Sequence, residues 1–236
     1  AEQGRTAARE AREEAARQVL IFAEVQTRLT GSVEQLLSTL SALPMFRKGQ
    51  VDAMDTILKS EHEANPEYLN LTVVDTDGVV VASSRLAAGV VLGERPHHSG
   101  AMKSGTFFAG EYFLNILDNR PTIAYSHPIF RADGSVLGAI SATVTLDSFG
   151  TMCDSLTLPE NARLGLVDRN GTRLFYYPER ATNPIGGQIK ADVWVRIVNG
   201  PDTGSLVDTG SDGIARYYAY RKIRRFPDAA PYTTVV

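Results

Sequence analysis

Arg95 is the residue of this sequence whose chemistry stands out first. It lies in the run Glu94-Arg95-Pro96-His97-His98, and a guanidinium presents a planar fork of donors that matches a carboxylate. Because Pro96 fixes the backbone beside it, Arg95 could hold an anionic ligand through two hydrogen bonds. The alternative interpretation is a surface arginine that pairs with Glu94 or Glu111.

His97 and His98 follow directly in the chain. A histidine side chain can donate or accept a hydrogen bond and can titrate near neutral pH. If the segment is extended, the two side chains point to opposite faces, so at most one of them faces a given pocket. Together with His127 they are a weak metal signal, since no carboxylate stands at a known ligand spacing. The sequence therefore predicts neither a metal site nor a cofactor.

Aromatic and small polar side chains supply the other candidates. Core packing is the default for an aromatic cluster, but a ligand pocket is usually an apolar cleft with a few convergent polar groups. Side chains alternate along a strand, so the small polar residues of the predicted strand 136–146 share one face, which suits a polar ligand. The further candidate ligand-binding residues are Phe108, Tyr112, Tyr125, His127, Ser141, Thr143 and Thr145.

A long helix is predicted over residues 5–43. Its first half is made of strong helix formers with almost no apolar face, which indicates a solvated helix or a stalk. From Val19 to Leu43 apolar residues recur at helical spacings, and such a stripe indicates one buried face. Pro44 ends this helix, and a second helix is predicted over residues 51–63.

From residue 69 onward the pattern becomes strand-like and repeats. The turn Asp75-Thr76-Asp77-Gly78 returns as Asp168-Arg169-Asn170-Gly171, and each half holds a second turn, at Asp133-Gly134 and at Asp212-Gly213. Such a recurrence indicates an internal duplication. The predicted fold class is α+β, with two tandem modules that each have a central antiparallel sheet and flanking helices.

Composition and motifs exclude several classes of protein. The 24 Lys and Arg residues against 27 Asp and Glu residues argue against nucleic-acid binding. The single cysteine, Cys153, cannot form an internal disulfide and is interpreted as a small buried side chain. No apolar stretch reaches the ~18 residues of a membrane helix. Because no catalytic motif is recognisable, the chain is predicted not to be an enzyme.

The ordered motifs resemble the double Cache sensor ectodomains of bacterial transmembrane receptors, in which two PAS-like modules follow a long helix. The resemblance extends over nearly the whole chain and is greatest to members attached to histidine kinases or diguanylate cyclases. It is carried by residues 70–84, 94–98, 123–129, 134–138 and 158–171.

This resemblance implies helices over residues 1–65, a membrane-distal Cache module over 66–153 and a membrane-proximal one over 154–236. It implies a periplasmic sensor that binds a small, carboxylate-bearing organic molecule in the distal module and signals to a histidine kinase. The parent would be held in the inner membrane by flanking transmembrane helices and would form a homodimer. The alternatives are a diguanylate cyclase, a methyl-accepting chemoreceptor, a dimerisation module without a ligand, or a small hydrolase or isomerase.

Two departures from the family pattern bear on the ligand. The family often has Asp-Arg-x-Tyr/Trp-Phe/Tyr where this chain has residues 94–98, and amino-acid-binding members have an aspartate where this chain has Thr143. Without a carboxylate to pair with an α-ammonium group, an amino acid is disfavoured. The strand at 216–220 is crowded with aromatic residues, so the first module is predicted to hold the ligand.

Overall fold

A computed structural model describes residues 2–147, 158, 162–209, 213–223 and 232–235. The chain divides into two compact units. The first unit is Leu29–Ser148, and the second unit combines Ala1–Arg28 with Phe149–Val236. Cys153 and the predicted boundary between residues 153 and 154 lie outside the described residues, so the predicted module boundaries stay a prediction.

Three helices open the chain; the two long ones match the predicted helices, and the short one between them was not predicted. Helix α1 spans Glu2–Ala42, α2 spans Pro44–Arg47 and α3 spans Val51–Ala64. Pro44 occupies the first turn of α2, where its missing N–H costs no hydrogen bond. In the part of the chain that the structure describes, no helix is both long enough and apolar enough to span a membrane.

The first unit is built on one antiparallel sheet. Its order is β2-β1-β6-β5-β3, with β4 also paired to β5. Helix α4 follows β2 in the chain and packs on β3, β5 and β6. The elements are β1 Tyr68–Asp75, β2 Val80–Ser83, α4 Pro96–Ser104, β3 Phe108–Ala109, β4 Phe113–Leu114, β5 Pro121–Phe130 and β6 Val136–Thr145.

The two faces of this sheet differ in polarity because its strands are in register. Ser141 of β6 lies opposite Thr72 of β1 and Ser126 of β5, so one face carries small polar side chains, and this face receives α4. Ala142 lies opposite Leu71 and Tyr125, and these residues belong to the apolar face on which α1 packs.

The second unit repeats this architecture. Its sheet order is β8-β7-β11-β10-β9, and its helix α5 lies between β8 and β9 in the chain. The elements are β7 Leu164–Val167, β8 Arg173–Tyr177, α5 Ala191–Asn199, β9 Thr203–Thr209, β10 Ala215–Ile223 and β11 Tyr232–Val235.

The repeated turns have the same geometry in both units. Asp75 Oδ1 accepts hydrogen bonds from the N–H groups of Asp77 and Val79, and Asp168 Oδ1 accepts them from Asn170 and Thr172, all at 2.9 Å. The closing glycines of both turns have φ of 77°, a conformation that favours glycine. The duplication predicted from these turns is therefore present in the fold.

The other pair of Asp-Gly turns is not equivalent, which corrects the predicted alignment of the halves. Asp133-Gly134 joins β5 to β6, whereas Asp212-Gly213 joins β9 to β10, and β11 takes the place in the second sheet that β6 has in the first. Residues 210–212 lie outside the described residues. A local turn signal shows that two strands are joined, but not which places they occupy in a sheet.

Candidate functional site

A small cavity lies on the polar face of the first sheet, at the start of helix α4. Its volume is about 30 Å³, which is room for about two water-sized groups. The structure thus brings together side chains from three strands, one helix and two loops. The lining residues are Asn70, Thr72, Leu86, Leu92, Arg95, His97, His98, Phe113, Asn115, Ile116, Leu117, Ser141 and Thr143.

Arg95 stands at the N-cap of α4 and is half-buried. Its Nε donates a hydrogen bond to the carbonyl oxygen of Leu92 at 3.2 Å, and its Cζ lies 5.6 Å from the centre of the Phe113 ring. Glu94 pairs instead with Lys103 at 3.5 Å. Among the described residues, no carboxylate lies within ion-pair distance of the Arg95 guanidinium.

His97 and His98 lie in the first turn of α4, so the extended segment considered from the sequence is not what forms. Both side chains are buried and both line the cavity. Their ring centres are 4.2 Å apart, and the His97 ring stacks on Phe113 at 5.6 Å. Successive residues of a helix are about 100° apart rather than on opposite faces, which is why both rings reach one cavity.

Burial keeps the two imidazoles neutral. Desolvation lowers the pKa of His98 to about 4, with a further contribution from the charge of Arg95. Desolvation also holds the pKa of His97 well below its ordinary value, and His98 and Arg95 act in the same direction. Near pH 7 Arg95 is therefore charged, whereas the two histidines that line the cavity with it are neutral.

Small polar side chains form the floor of the cavity. Asn70 Nδ2 donates to Thr72 Oγ1 at 2.6 Å, and Ser83 Oγ donates to Asn70 Oδ1 at 2.9 Å. The Nε2 atom of His98 lies 3.1 Å from Ser141 Oγ. The register of β1 and β6 pairs Asn70 with Thr143 and Thr72 with Ser141, so both strands direct these groups to one face.

The walls of the cavity are apolar. Leu86 and Leu92 come from the segment between β2 and α4, and Phe113 comes from β4. Ile116 and Leu117 form the outer rim and are 51% and 38% exposed. Apolar walls, a polar floor and the Arg95 guanidinium suit a small molecule with one anionic end and a short hydrocarbon part.

Tyr125 and His127 do not line this cavity, although the sequence made them candidates. They lie opposite Ala142 and Ile140 on the other face of the sheet. The Tyr125 side chain forms a hydrogen bond with Thr30 of α1, and His127 Nδ1 lies 3.0 Å from the Oγ atom of Ser41 of α1. The two-residue period of a strand separates them from Ser141 and Thr143.

Phe108, Tyr112 and Thr145 also lie outside the lining. A Cβ placed on Gly100 of α4 would be 2.6 Å from the Phe108 ring, so this ring packs closely against the helix. Tyr112 is half-buried between β3 and β4. Thr145 is buried at the end of β6, opposite Thr122. Phe108 therefore packs on α4, as the default interpretation of the aromatic cluster predicts.

Some lining residues had a signal in the sequence that was not used, and others had none. Asn70 and Thr72 are polar residues two positions apart in an otherwise apolar strand, so alternation could have placed them beside Thr143 and Ser141. Nothing local marks Ile116 or Leu117. The same applies to the remaining lining residues Leu86, Leu92, Phe113 and Asn115.

The corresponding place in the second unit is filled. Lys190 is the N-cap of α5, as Arg95 is of α4, but its Nζ lies 2.8 Å from Asp208 Oδ1. An apolar cluster packs α5 on its sheet, formed by Val193, Ile197, Leu206 and Tyr220. A separate surface cavity of about 500 Å³ lies at residues 176–185 of this unit. Within the described ranges, no three His, Cys, Asp or Glu side chains converge as a metal site would require.

The tandem units, each with a five-strand order and a helix over one face, define the class of tandem PAS-like sensor folds. A model of the Cache domain family, dCache_1, matches residues 5–236. The chain belongs to the Cache domain family. This membership confirms the predicted resemblance, the α+β fold and the role of a ligand-binding sensor, and modules of this family are not catalytic.

Solved structures show the same fold at low sequence identity. The extracellular domain of rpHK1S-Z16, described as a histidine kinase, has a TM-score of 0.83 at 17% identity, covering 98% of this chain and 95% of that one. The PctB amino-acid chemoreceptor domain of Pseudomonas aeruginosa PAO1, solved with L-Arg, has a TM-score of 0.70 at 17% identity, covering 91% and 89%.

The sensor domain of the V. cholerae histidine kinase DctB has a TM-score of 0.67 at 13% identity and covers 96% of both chains. At these identities the likeness is one of fold alone. No curated protein matches the sequence.

Proposed function

We propose that this chain is the extracytoplasmic domain of a bacterial transmembrane receptor and that it binds a small carboxylate-bearing molecule at Arg95. The observation that carries the proposal is the placement of this guanidinium. It lines a cavity whose other lining residues are uncharged, and no described carboxylate neutralises it. A partly buried cation gains most from an anionic partner that arrives with the ligand.

The start of α4 acts in the same direction as Arg95. The helix begins at Pro96, and no side chain caps it. The first turn of a helix carries unpaired N–H groups and a partial positive charge, which favour an anion nearby. A carboxylate at this end of the cavity would therefore meet two sources of positive potential.

The absence of a lining carboxylate distinguishes this cavity from one suited to amino acids. PctB was solved with L-Arg and CtaA of Pseudomonas fluorescens with L-serine, and both ligands carry an α-ammonium group. In this chain Thr143 occupies the strand position at which a carboxylate was expected for such ligands, and Arg95 would repel an ammonium group. The proposed ligand is therefore an organic acid without an amino group.

We place the ligand in the first unit. In the second unit the N-cap charge of Lys190 is already paired with Asp208, and buried apolar side chains occupy the space between α5 and the sheet. In this proposal residues 66–153 are the membrane-distal module and residues 154–236 are the membrane-proximal one.

The output that we propose is a histidine kinase beyond a flanking transmembrane helix, in a periplasmic, inner-membrane homodimer. Sensor domains of two histidine kinases share the fold along almost the whole chain. Chemoreceptor domains share it as well, so a chemoreceptor is the second candidate, and a diguanylate cyclase is the third.

A binding screen tests the ligand class. The purified chain is screened with short-chain organic acids, their amides and the corresponding amino acids by thermal shift, and hits are measured by calorimetry. We expect a higher melting temperature with the acids alone, because a ligand that binds only the folded state stabilises it. Arg95→Ala should weaken acid binding beyond detection, since removing one partner of a buried charged pair costs about 2–5 kcal/mol.

Two variants serve as controls. Arg95→Lys keeps the charge but not the planar fork, and we expect weaker, measurable binding. Arg47 donates to the carbonyl oxygens of Phe130 and Arg131 away from the cavity, so Arg47→Ala should bind as the parent does. Acid binding that survives Arg95→Ala, or saturable binding of the amides, would contradict the proposal. A complete lack of acid binding would favour a module without a ligand.

A further inference from the structure

The imidazole of His98 has one nitrogen with a partner and one without. Its side chain is 2% exposed and lines the cavity. Nε2 lies 3.1 Å from Ser141 Oγ, whereas no protein atom of the described residues is within hydrogen-bond distance of Nδ1. A buried polar atom without a partner is costly and is rare in folded proteins. Because His98 lines the cavity, a ligand bound there can supply the partner.

The surroundings of Ser141 decide whether Nδ1 donates or accepts. Ser141 Oγ also lies 3.4 Å from the carbonyl oxygen of Thr72, and a carbonyl oxygen can only accept a hydrogen bond. Both contacts are hydrogen bonds at once only when the Ser141 hydroxyl donates to Thr72 and Ser141 Oγ accepts from the Nε2–H group of His98. Burial keeps this histidine neutral by lowering its pKa to about 4. In this arrangement the one proton of the neutral imidazole is on Nε2, and Nδ1 is a bare acceptor.

We infer that the ligand is a short 2-hydroxy carboxylic acid whose hydroxyl group donates to Nδ1 of His98 while its carboxylate pairs with Arg95. This inference rests on the function proposed above and adds the second polar group of the ligand. Arg95, the N-cap of α4, and His98, in the first turn of that helix, both line the cavity, so the ligand can contact both side chains. A hydroxyl group on the carbon next to the carboxylate would lie close enough to contact His98 while the carboxylate contacts Arg95.

Other substituents at this carbon fit less well. An unsubstituted acid leaves Nδ1 without a partner, and a 2-oxo acid brings a second acceptor to it. An ammonium group can donate, but it enters a cavity that has a positive charge and no carboxylate in its lining. The cavity volume of about 30 Å³ leaves little room beyond the two polar groups of the ligand, which favours short acids.

Matched ligands test the inference. Calorimetry compares propanoate, 2-oxopropanoate and each enantiomer of 2-hydroxypropanoate, together with the same forms of the four-carbon acid. We expect one enantiomer of the hydroxy acid to bind about tenfold more tightly than the unsubstituted acid, as one hydrogen bond to a buried group implies. The oxo acid should bind no more tightly than the unsubstituted acid.

Two substitutions at His98 separate its nitrogens. In His98→Gln the amide nitrogen can take the place of Nε2 and still donate to Ser141, but nothing replaces Nδ1. In His98→Asn the amide group stands where Nδ1 was. We expect His98→Gln to bind hydroxy and unsubstituted acids equally, and His98→Asn to keep a preference for the hydroxy acid. His127→Gln, on the opposite face of the sheet, should keep the full preference.

The outcomes distinguish this inference from the proposed function. If unsubstituted and hydroxy acids bind equally to the parent chain and binding still requires Arg95, the carboxylate site stands and the hydroxyl contact is wrong. If no acid binds, both are wrong. A hydroxy-acid preference that His98→Gln retains would also overturn the contact. Should either His98 variant fail to fold, the ligand series on the parent chain decides alone.

Discussion

The Nε2 atom of His98 lies 3.1 Å from the Oγ atom of Ser141, and this contact ties the first turn of α4 to the middle of β6. Ser141 also pairs with Thr72 of β1 and Ser126 of β5, so the contact reaches the centre of the sheet. A ligand that contacts both α4 and the sheet can favour one position of the helix over another. It can do so only by its difference in affinity for the two states.

Acid should destabilise the chain in a definite pH range. The folded-state pKa of His98 is about 4 against an ordinary value of 6.5, so between these values the unfolded chain binds more protons. The contribution of His98 to the free energy of unfolding is therefore fully present above pH 6.5. It falls by about 3 kcal/mol as the pH is lowered toward 4. His97 and His127 have lowered pKa values as well and act in the same direction.

Urea unfolding at pH 7.5, 6.0 and 4.5 measures this change. The carboxyl groups of Asp118 and Asp133 have pKa values lowered from 3.8. Their contribution to the free energy of unfolding is therefore lost only below pH 4.5. His98→Asn should show a shallower dependence than the parent, because the buried titrating group is gone. A free energy of unfolding that stays constant from pH 7.5 to 4.5 would contradict the neutral, buried state of these histidines.

Phe113 should control the size of the ligand. Its ring stacks on His97 and lies over the guanidinium of Arg95, and it belongs to the two-residue strand β4. Phe113→Leu should enlarge the cavity and shift the preference toward acids with longer hydrocarbon chains, measured by calorimetry on a homologous series. Leu114→Ala is the matched control, because Leu114 is exposed and does not line the cavity. An unchanged chain-length preference in Phe113→Leu would show that other walls set the size.

Gly110 should be required for the position of α4. A Cβ at this residue would lie 2.6 Å from the carbonyl oxygen of Ala124 and 3.0 Å from the Cβ of His97. Gly110→Ala must therefore move the backbone of β5 or of α4, and we expect a loss of about 1–3 kcal/mol of stability together with weaker acid binding. Gly134→Ala provides the contrast, since Gly134 has open space around it but a φ of +85°. It should lose some stability and bind normally.

The second unit should contribute stability without contributing to the ligand site. Ile197 is fully buried between α5 and its sheet, so Ile197→Ala should lower the free energy of unfolding by about 2–5 kcal/mol. The affinity for acids, measured where the variant is folded, should match that of the parent. Val195→Ala, at a residue that is 56% exposed, should change neither quantity. A large loss of acid affinity in Ile197→Ala would place a ligand contact in the second unit.

Much of the architecture could be predicted because its signals are local. Pro44 ends helix α1, and Asp75 and Asp168 form the same turn through their own side-chain oxygens. The candidate site was predicted in part for the same reason. Arg95, the two histidines and the polar positions of β6 are unusual residue types for their places in the pattern, and all of them except Thr145 line the cavity.

The sequence by itself determined the elements, the duplication and the chemical type of the site, since periodicity, turn residues and charge act over a few neighbouring residues. Only the tertiary structure decided which strand faces meet α4, and so why Ser141 lies beside His98 while Tyr125 and His127 contact α1. It also decided that β11, rather than β10, takes the place of β6 in the second sheet. Strand order and register arise from contacts between residues far apart in the chain, and no local pattern records them.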